Sequence, residues 1–326
     1  MLNFEYNFLA ELNVSFACPS TLARYTTFQL GGPAPCVITC ESPDALQQTV
    51  HALTTRELNY LLIGQGSNLL VSDQGVPVPV IRYVSEIPCI EREQNDLLVA
   101  ACTLIDEVAL TAAEEGLAGL NFSSGIPGTL GGAIVGNAGA FGKQIGDVLH
   151  SVQVLSPAGE TYEVLAKDLG FSYRHSRLKN SREIVVSARL RLTPGERKRL
   201  LNERADILDL RRTKHPDYKE IPTAGSFFRN IEPTSAAQRR QAAGWFLEQA
   251  GVKSLRCGGA GIFEKHANII VKTGDSTAQD VYDLAQQMAD AVRNKFGLEL
   301  KREVVLVGQF LGEAEIGSND TVALLK

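Results

Sequence analysis

Glycines crowd one segment of the chain, residues 119–142 (GLNFSSGIPGTLGGAIVGNAGAFG), where seven of them fall within 18 positions. Glycine costs roughly 0.5–1 kcal/mol where it replaces alanine in a regular element, so this density is not a neutral packing choice. It suits a backbone that turns sharply and brings its N–H groups against a ligand, and such N–H dipoles attract phosphate. The segment favours a cofactor site over a tight connection within a core of small residues.

A second glycine turn, GQGSN at residues 64–68, follows the predicted strand NYLLIG. Standard nucleotide fingerprints are absent, because the sequence has no glycine-lysine-serine/threonine of a P-loop and Leu69 stands where a dinucleotide fingerprint requires its third glycine. Alone, this turn is equally consistent with the simple end of a strand. Together, the two segments suggest two loops that close on one pyrophosphate.

The elements that position these loops are predicted from periodicity and capping residues. A strand at 36–40 and a helix begun by Ser42-Pro43 lead to the first glycine turn as a βαβ-like unit. Strand signals dominate from about 78 to 190, and a separate mixed segment follows residue 213, so the class is α+β. The basic helix near 194–212 is predicted to be a solvated linker rather than a nucleic-acid patch. The predicted helices span about residues 42–57, 104–116, 194–212, 235–250 and 276–296.

The composition of the chain limits the possible partners. It has 326 residues, 44% of them hydrophobic and 21% charged, with a net charge of −5. This composition predicts two or three packed units, and it excludes a largely disordered chain. An acidic protein has no global field for nucleic acid or anionic lipid, so any phosphate must bind at a local site. No apolar run approaches the ~18 residues of a membrane span, and we expect no membrane partner.

The six cysteines show neither a CxxC pair nor the spacing of Cys/His metal ligands. They are predicted to be ordinary buried thiols in a reducing compartment, with no metal site. The first residues lack a basic segment and carry Glu5 and Glu11, which is not typical of a signal peptide. The expected location is the cytoplasm.

Five motifs in order carry a family resemblance: LIGQGSNLLVSD, GIPGTLGGAIVGNAGAFG, YRHSRLK, AGSFFRN and LKREVVLVG. Together, from about residue 20 to 308, the chain resembles the UDP-N-acetylenolpyruvoylglucosamine reductases (the MurB family), in their shorter subclass. The resemblance implies a two-lobed FAD-binding fold of the vanillyl-alcohol oxidase type with a C-terminal α+β substrate domain. The implied division is an arm at 1–20, lobes at 21–75 and 76–212 that form the FAD-binding domain 21–212, a substrate domain at 213–310 and a tail at 311–326.

The resemblance also implies the reaction. FAD is held without a covalent bond and is reduced by NADPH. The hydride then passes from flavin N5 to the enolpyruvyl ether of UDP-N-acetylglucosamine, which becomes UDP-N-acetylmuramate for peptidoglycan synthesis. The expected partners are these small molecules alone, and the expected state is a monomer.

Three residues are predicted to carry the chemistry, by resemblance and by their own properties. Arg174 offers a permanently charged fork for a carboxylate or for the flavin's carbonyl edge. Ser226 is the expected proton donor, since a carbanion is a much stronger base than the alkoxide left behind. Glu303 interrupts an apolar strand: facing inward, a lone carboxylate would be costly unless it served a function, and facing outward it would be an ordinary charge at a strand edge. The resemblance implies that it faces the reacting alkene.

The remaining site residues follow from the motifs. The chain departs from the family pattern at three places: Gln65 stands where glycine is expected, Asn121-Phe122-Ser123 where a Glu-X-hydrophobic pattern is expected, and Lys272 where asparagine is expected. For His266, a structural role at a strand is about as plausible as a nucleotide contact. The predicted substrate-binding residues are Tyr173, Lys214, Arg229, Asn230 and His266. The predicted FAD-binding residues are Gly64, Gln65, Gly66, Ser67, Asn68, Ser123, Gly125, Ile126, Pro127, Gly128, Thr129, Gly131, Gly132, Asn137, Gly139, Ala140, Arg174 and Val185.

Two other functions stay open at this stage. One is an FAD-linked oxidase or dehydrogenase of the same fold that acts on an alcohol or hydroxy acid. Such relatives often attach flavin through His or Cys, and neither glycine motif contains a histidine. The other is a non-catalytic protein that binds a UDP-sugar or flavin, which would not need Arg174, Ser226 and Glu303 together.

Overall fold

The computed structural model describes residues 4–233 and 239–312. A four-stranded sheet forms the first lobe, with the strand order Ser15–Ala17, Val37–Cys40, Val80–Tyr83, Leu61–Ile63. The outermost strand, Ser15–Ala17, is antiparallel to its neighbour, and the other pairs are parallel. Helix α1 (Pro43–Thr55) connects two of the parallel strands, as the βαβ pattern predicted. The 64–68 turn therefore leaves the carboxyl end of the strand Leu61–Ile63.

The second lobe is a five-stranded antiparallel sheet in the order Thr161–Leu165, Leu149–Leu155, Ile184–Arg191, Asp96–Ala100, Ile90–Glu93. Helices α2 (Ile105–Glu114) and α3 (Leu130–Val135) pack with it. One large apolar core joins this sheet to α1 and to one face of the first sheet. Both glycine segments therefore begin from elements that share a rigid core.

The C-terminal part of the chain has a smaller core around helix α6 (Ala278–Phe296). A three-stranded sheet of Arg256–Cys257, Ala260–Ile262 and Ile270–Lys272 packs on α6 together with helix α5 (Ala243–Gln249). The last strand, Val305–Val307, returns to the first lobe and pairs in parallel with Leu69–Val71. Two-stranded pairs complete the list: Ser20–Thr21 with Pro33–Ala34, Leu117–Ala118 with Thr193–Pro194, and Gly139–Ala140 with Lys143–Gln144.

The capping residues in the sequence correctly predicted where helix α1 begins and where helix α6 begins and ends. Ser42 Oγ accepts a hydrogen bond from Ala45 N at 3.2 Å at the start of α1. Thr277 and Asp280 form a reciprocal capping box at the start of α6, and Gly297 ends that helix with φ +65°. The helix predicted from residue 235 instead begins at Ala243, and residues 234–238 lie outside the described part of the chain.

Helix α4 (Arg197–Lys214) is less solvated than its composition predicted. Arg204 is 8% exposed, and its Nη1 lies 2.5 Å from Asp106 Oδ1 of α2. Arg211 Nε donates to Ser124 O at 2.7 Å. Two of the basic side chains therefore fasten α4 to the second lobe, because their charges find a carboxylate and a carbonyl within the protein.

The prediction that all cysteines are free thiols is wrong for one pair. Cys18 and Cys36 form a disulfide, because the antiparallel pairing of Ser15–Ala17 with Val37–Cys40 brings their Cα atoms to 4.1 Å. Cys40, Cys89, Cys102 and Cys257 are free. The thiol pattern therefore no longer supports a reducing compartment. Among the described residues, no helix is both long and apolar enough to cross a membrane.

Candidate active site

The two glycine segments touch each other, as their pairing in the sequence suggested. Ser67 Oγ donates to Pro127 O at 2.9 Å. A Cβ added at Gly64 would lie 2.6 Å from Thr129 Oγ1, and one at Gly128 would lie 3.0 Å from Ser67 Oγ. Side chains at these glycines would push the loops apart, so glycine is required here for a close approach.

The 119–142 segment is not one continuous loop. Gly125 adopts φ +72°, which favours glycine, and it belongs to a genuine turn. In contrast, Gly131 and Gly132 lie inside α3, whose first N–H groups are capped by Thr129: Gly132 N donates to Thr129 Oγ1 at 3.3 Å. At Gly131 an added Cβ would lie 3.2 Å from Ala101 Cβ, so this glycine lets the helix pack closely.

The residues at these loops fit a phosphate-bearing cofactor. Ser124 is fully buried, and its Oγ has no hydrogen-bond partner in the part of the chain that the structure describes. Its neighbour Ser123, which the sequence predicted as a ligand, instead donates its hydroxyl to Leu120 O at 2.8 Å. An orphaned buried hydroxyl is costly unless a ligand satisfies it. Ser124 is therefore the better candidate, and sequence reasoning missed it because adjacent serines are indistinguishable without the fold.

Three of the other predicted cofactor residues are committed to the protein scaffold. The Asn137 side chain is 1% exposed, donates to Ser172 O at 2.8 Å and to Gln144 Oε1 at 2.9 Å, and accepts from Gly146 N at 3.1 Å. Gly139–Ala140 pairs with Lys143–Gln144 as a short hairpin. These residues shape the wall of the loop, and their contact with FAD remains a prediction. Val185, in the strand Ile184–Arg191, is 5% exposed.

The structure brings Arg174, Ser226 and Glu303 together from distant parts of the chain. Arg174 Nε lies 2.6 Å from Glu303 Oε1. Glu303 N donates to Phe227 O at 2.8 Å, so Glu303 lies beside the residue that follows Ser226. Asn68 of the first glycine turn donates its Nδ2 to Glu303 O at 3.1 Å. The guanidinium of Arg174 and the carboxylate of Glu303 thus meet at the edge of the first glycine turn, next to the backbone segment that carries Ser226.

The turn that carries Arg174 is held by several hydrogen bonds. Arg174 has φ +56°, a left-handed conformation that costs a non-glycine residue of order 1–3 kcal/mol. Ser172 and His175 exchange backbone hydrogen bonds of 3.0 and 3.1 Å across the turn, and Lys179 Nζ donates to Arg174 O at 2.7 Å. Together with the bond from Asn137, these contacts fix the direction of the guanidinium.

Ser226 is presented by a strand-like segment. Gly225 precedes it with φ +75°, and Gly225 N donates to Thr223 Oγ1 at 3.2 Å. Ser226 then forms an antiparallel bridge with Ile269, next to the strand Ile270–Lys272. Phe227 and Phe228 that follow are 1% and 3% exposed, so they anchor the segment in the C-terminal core.

The predicted substrate residues divide into two groups. Tyr173 and Asn230 lie beside Arg174. Tyr173 OH accepts a hydrogen bond from Asn230 N at 3.2 Å, and the centroid of the Tyr173 ring lies 5.3 Å from Arg174 Cζ. Arg240, which sequence reasoning did not single out, stands 4.1 Å from the same ring. Arg229 has a buried Nε with no partner among the described atoms, as expected of a group that awaits an anion.

The second group lies where α4 ends. Lys214 is exposed, and the rings of the next residue, His215, and of His266 are 5.5 Å apart. Burial, with the charges of His266, Arg211 and Lys214, lowers the pKa of His215 to about 4. Burial also lowers the pKa of His266, whose Nδ1 accepts from Asn268 N at 3.2 Å. Both rings are therefore neutral near pH 7, and His266 already has the structural role that the sequence left open.

Comparison with known proteins identifies both halves of the chain. A family model described as "UDP-N-acetylenolpyruvoylglucosamine reductase, C-terminal domain" matches residues 215–307, and one described as "FAD binding domain" matches residues 34–165. The UDP-N-acetylenolpyruvoylglucosamine reductase 1 of Bacillus thuringiensis is 36% identical over 305 residues, which cover 93% of this chain and 98% of the relative. The reductase of Carboxydothermus hydrogenoformans is 37% identical over 88% of this chain and 92% of its own length.

A solved structure agrees with these matches. The crystal structure of UDP-N-acetylenolpyruvylglucosamine reductase from Thermus caldophilus aligns with a TM-score of 0.73 at 32% identity, over 90% of this chain and 99% of that one. The predicted α+β fold with an FAD-binding domain is confirmed, as is FAD as the cofactor of an oxidoreductase.

Proposed function

The chain belongs to the UDP-N-acetylenolpyruvoylglucosamine reductase family, and on that premise we propose that it uses NADPH to reduce the enolpyruvyl ether of UDP-N-acetylglucosamine to UDP-N-acetylmuramate. The product is a precursor of peptidoglycan. The observation that carries this proposal is the contact of Arg174 with Glu303 beside the Ser226 segment, at the edge of the first glycine turn.

The two glycine loops are the residues that would hold FAD. Backbone N–H groups of these loops, with the unpartnered hydroxyl of Ser124, would offer donors to a pyrophosphate. Bound there, FAD supplies the hydride-transfer chemistry of the reaction. The closely packed loops keep these donors fixed, so that little order has to be gained when the cofactor binds.

Ser226 acts in this proposal as the proton donor. Hydride addition to the terminal vinyl carbon leaves carbanion character beside the substrate carboxylate. A serine hydroxyl is a weak acid, but it can give its proton to a carbanion because the alkoxide left behind is the weaker base. The buried Phe227 and Phe228 next to Ser226 limit the access of water to this step.

In this proposal, Arg174 stabilises negative charge on the substrate, and Glu303 orients Arg174. Arg174 Nε is occupied by Glu303, while its terminal nitrogens make no hydrogen bond with any residue in the described ranges. Those nitrogens are free to bind the substrate carboxylate, and a guanidinium fork stabilises the negative charge that develops beside it. Glu303 orients the guanidinium through its contact with Arg174 Nε, and its backbone N donates to Phe227 O beside Ser226.

The UDP-sugar is assigned to the surface next to this cluster. Lys214 and Arg229 supply positive charge for the diphosphate, and Asn230 and Tyr173 line the approach to Arg174. His266 contributes as a neutral ring, since burial lowers its pKa. These assignments rest on the motifs and on the positions of the residues around the cluster.

The test separates the two half-reactions. NADPH is added anaerobically to the flavin-loaded protein, and loss of flavin absorbance is expected. Addition of the enolpyruvyl ether of UDP-N-acetylglucosamine should then restore the oxidised spectrum and yield UDP-N-acetylmuramate. A flavin that stays reduced would show that the assignment is wrong. Reoxidation by oxygen with concurrent oxidation of an alcohol substrate would support the oxidase alternative.

A further inference from the structure

A cavity of about 580 Å³ lies beside the first glycine turn, on the side of Gln65. It is an open groove, lined by residues 23–27 and Gln29 of the first lobe and by Tyr218, Lys219 and Lys272 of the C-terminal part. Arg174, Ser226 and Glu303 are not among its lining residues. Its volume is typical of sites for small organic ligands.

The charged residues that line this cavity are all positive, although the chain as a whole carries a net charge of −5. Four cations line it, Arg24, Arg82, Lys219 and Lys272, and no carboxylate does, although acidic residues outnumber basic ones overall. None of the four forms an ion pair within residues 4–233 and 239–312. Glu41 and Glu86 act on Arg82 through space, yet neither lines the cavity. Lys272 Nζ donates to the backbone oxygen of Gln29 at 3.0 Å, which leaves its charge without a counter-ion. Cations without carboxylate partners in one concavity produce a local positive potential that attracts an anion.

Two residues that line this cavity each carry a buried polar atom without a hydrogen-bond partner. Arg82 Nε is buried without an acceptor, and Gln65 Oε1 is buried without a donor, as far as the described residues extend. Gln65 is held in place because its Nε2 donates to Tyr218 OH at 3.2 Å. A buried N–H of a cation that lacks an acceptor is costly, more so than a neutral one. An anionic oxygen would satisfy Arg82 Nε, and a hydroxyl would satisfy Gln65 Oε1.

We infer that this cavity binds a phosphorylated sugar, free or as part of a nucleotide, with phosphate oxygens at Arg82 and the neighbouring cations and a sugar hydroxyl at Gln65 Oε1. The ring of Tyr25, whose centroid lies 5.8 Å from Arg82 Cζ, forms a further part of the wall. Gln65 and Lys272 both line this cavity, one from the first glycine turn and the other from the C-terminal part of the chain.

The experiment measures binding to the flavin-loaded protein by calorimetry at low ionic strength. Saturating UDP-N-acetylglucosamine is present, so that the proposed substrate surface is occupied. The probes are ribose 5-phosphate, adenosine 5′-monophosphate and inorganic phosphate. Ribose 5-phosphate is expected to bind more tightly than inorganic phosphate, since only the sugar can place a hydroxyl at Gln65 while its phosphate is held by the cations. Tighter binding of adenosine 5′-monophosphate than of ribose 5-phosphate would identify a nucleotide as the source.

Matched variants locate the binding. Arg82→Met keeps most of the side-chain volume and removes the orphaned N–H, so the affinity for ribose 5-phosphate should fall about tenfold or more. Lys272→Met tests the same cavity from the C-terminal part if Arg82→Met does not fold, and Lys198→Met on the exposed surface of α4 should leave the affinity unchanged.

Several results would overturn the inference. These are no binding of any probe, equal affinity of the wild type and both cavity variants, or release of FAD by the probe, which would place the ligand in the flavin site. Reductase turnover is measured in parallel and is expected to be unchanged in Arg82→Met. Failure of the reductase assay with the wild type would leave the binding result intact, so the two proposals fail separately.

Discussion

Arg174 and Arg82 are both half-buried arginines near the first glycine turn, but their surroundings differ. Arg174 is met by Glu303 at 2.6 Å, and its backbone is held by Lys179 and, through Ser172, by Asn137. Arg82 has a buried Nε with no partner among the described residues, and it shares a cavity with three other cations. A paired and braced cation is fixed in position before substrate arrives, whereas an unpaired one is completed only by its ligand. Turnover should therefore be most sensitive to substitutions that change the geometry of Arg174 and Glu303. Ligand binding in the cavity should be most sensitive to substitutions that remove a positive charge.

The largest expected effect comes from Ser226→Ala. Reduction of the flavin by NADPH should stay near the wild-type rate, while reoxidation by the enolpyruvyl substrate should slow by roughly 10²–10⁴, since a general acid is lost. Stopped-flow absorbance of the two half-reactions measures both rates, with Ser254→Ala as an exposed control. Equal slowing of both half-reactions would refute Ser226 as the proton donor.

Arg174→Lys should have the next largest effect. The charge is kept but the planar fork is lost, so Lys cannot contact Glu303 and the substrate carboxylate together in the same geometry. We expect turnover to fall by about 10- to 100-fold, within the range for loss of a preorganised electrostatic contact. Steady-state kinetics measure it, and Arg177→Lys, which alters a pair with Glu183 outside the cluster, is the control. Wild-type turnover in Arg174→Lys would count against its placement at the substrate.

Asn137→Ala should have a smaller and more selective effect. Loss of the bond to Ser172 O loosens the turn that aims Arg174, so kcat should fall about tenfold while the affinity for FAD changes little. Flavin titration and steady-state kinetics separate the two quantities. The opposite pattern, weak FAD binding with normal kcat of the loaded protein, would mean that Asn137 contacts the cofactor as the sequence predicted.

The smallest expected effect is on the pH dependence of folding stability, through the buried His215. Its pKa in the folded protein is about 4, against 6.5 for an ordinary histidine, so the unfolded chain binds a proton more readily. Folding stability should therefore decrease as the pH falls from about 6.5 to about 4, with no contribution above that window. In His215→Gln this part of the pH dependence should disappear, which denaturant melts at several pH values can measure. An unchanged pH profile would contradict the assigned burial.

Local chemistry explains what the sequence could predict. The ends of α1 and α6 follow from Ser42, Thr277, Asp280 and Gly297, because caps act within a few residues. The meeting of the two glycine loops was suggested by their composition. The helix inside the 119–142 segment was not, because glycines that allow close packing look the same as glycines that form turns.

Long-range contacts lay beyond the pattern of the residues. The approach of Arg174 to Glu303 spans 129 positions and entered only through the resemblance. The Cys18–Cys36 disulfide depends on a strand pairing that no cysteine spacing signals. The burial of Arg204 in α4 runs against its residue type, and it depends on Asp106 from another helix. Each of these contacts is decided by tertiary packing, which periodicity does not encode.

The pairing of the strand Val305–Val307 with Leu69–Val71 also determines where Glu303 lies. Glu303 stands just before this strand, and Val305 N donates to Asn68 O at 3.0 Å as the strand joins Leu69–Val71. A growing polypeptide that has completed only its first two lobes lacks both the strand and the carboxylate that faces Arg174. The folding step that pairs Val305–Val307 with Leu69–Val71 therefore also brings Glu303 to Arg174. In the proposed mechanism, a polypeptide that ends before residue 303 would lack the carboxylate that orients the guanidinium of Arg174.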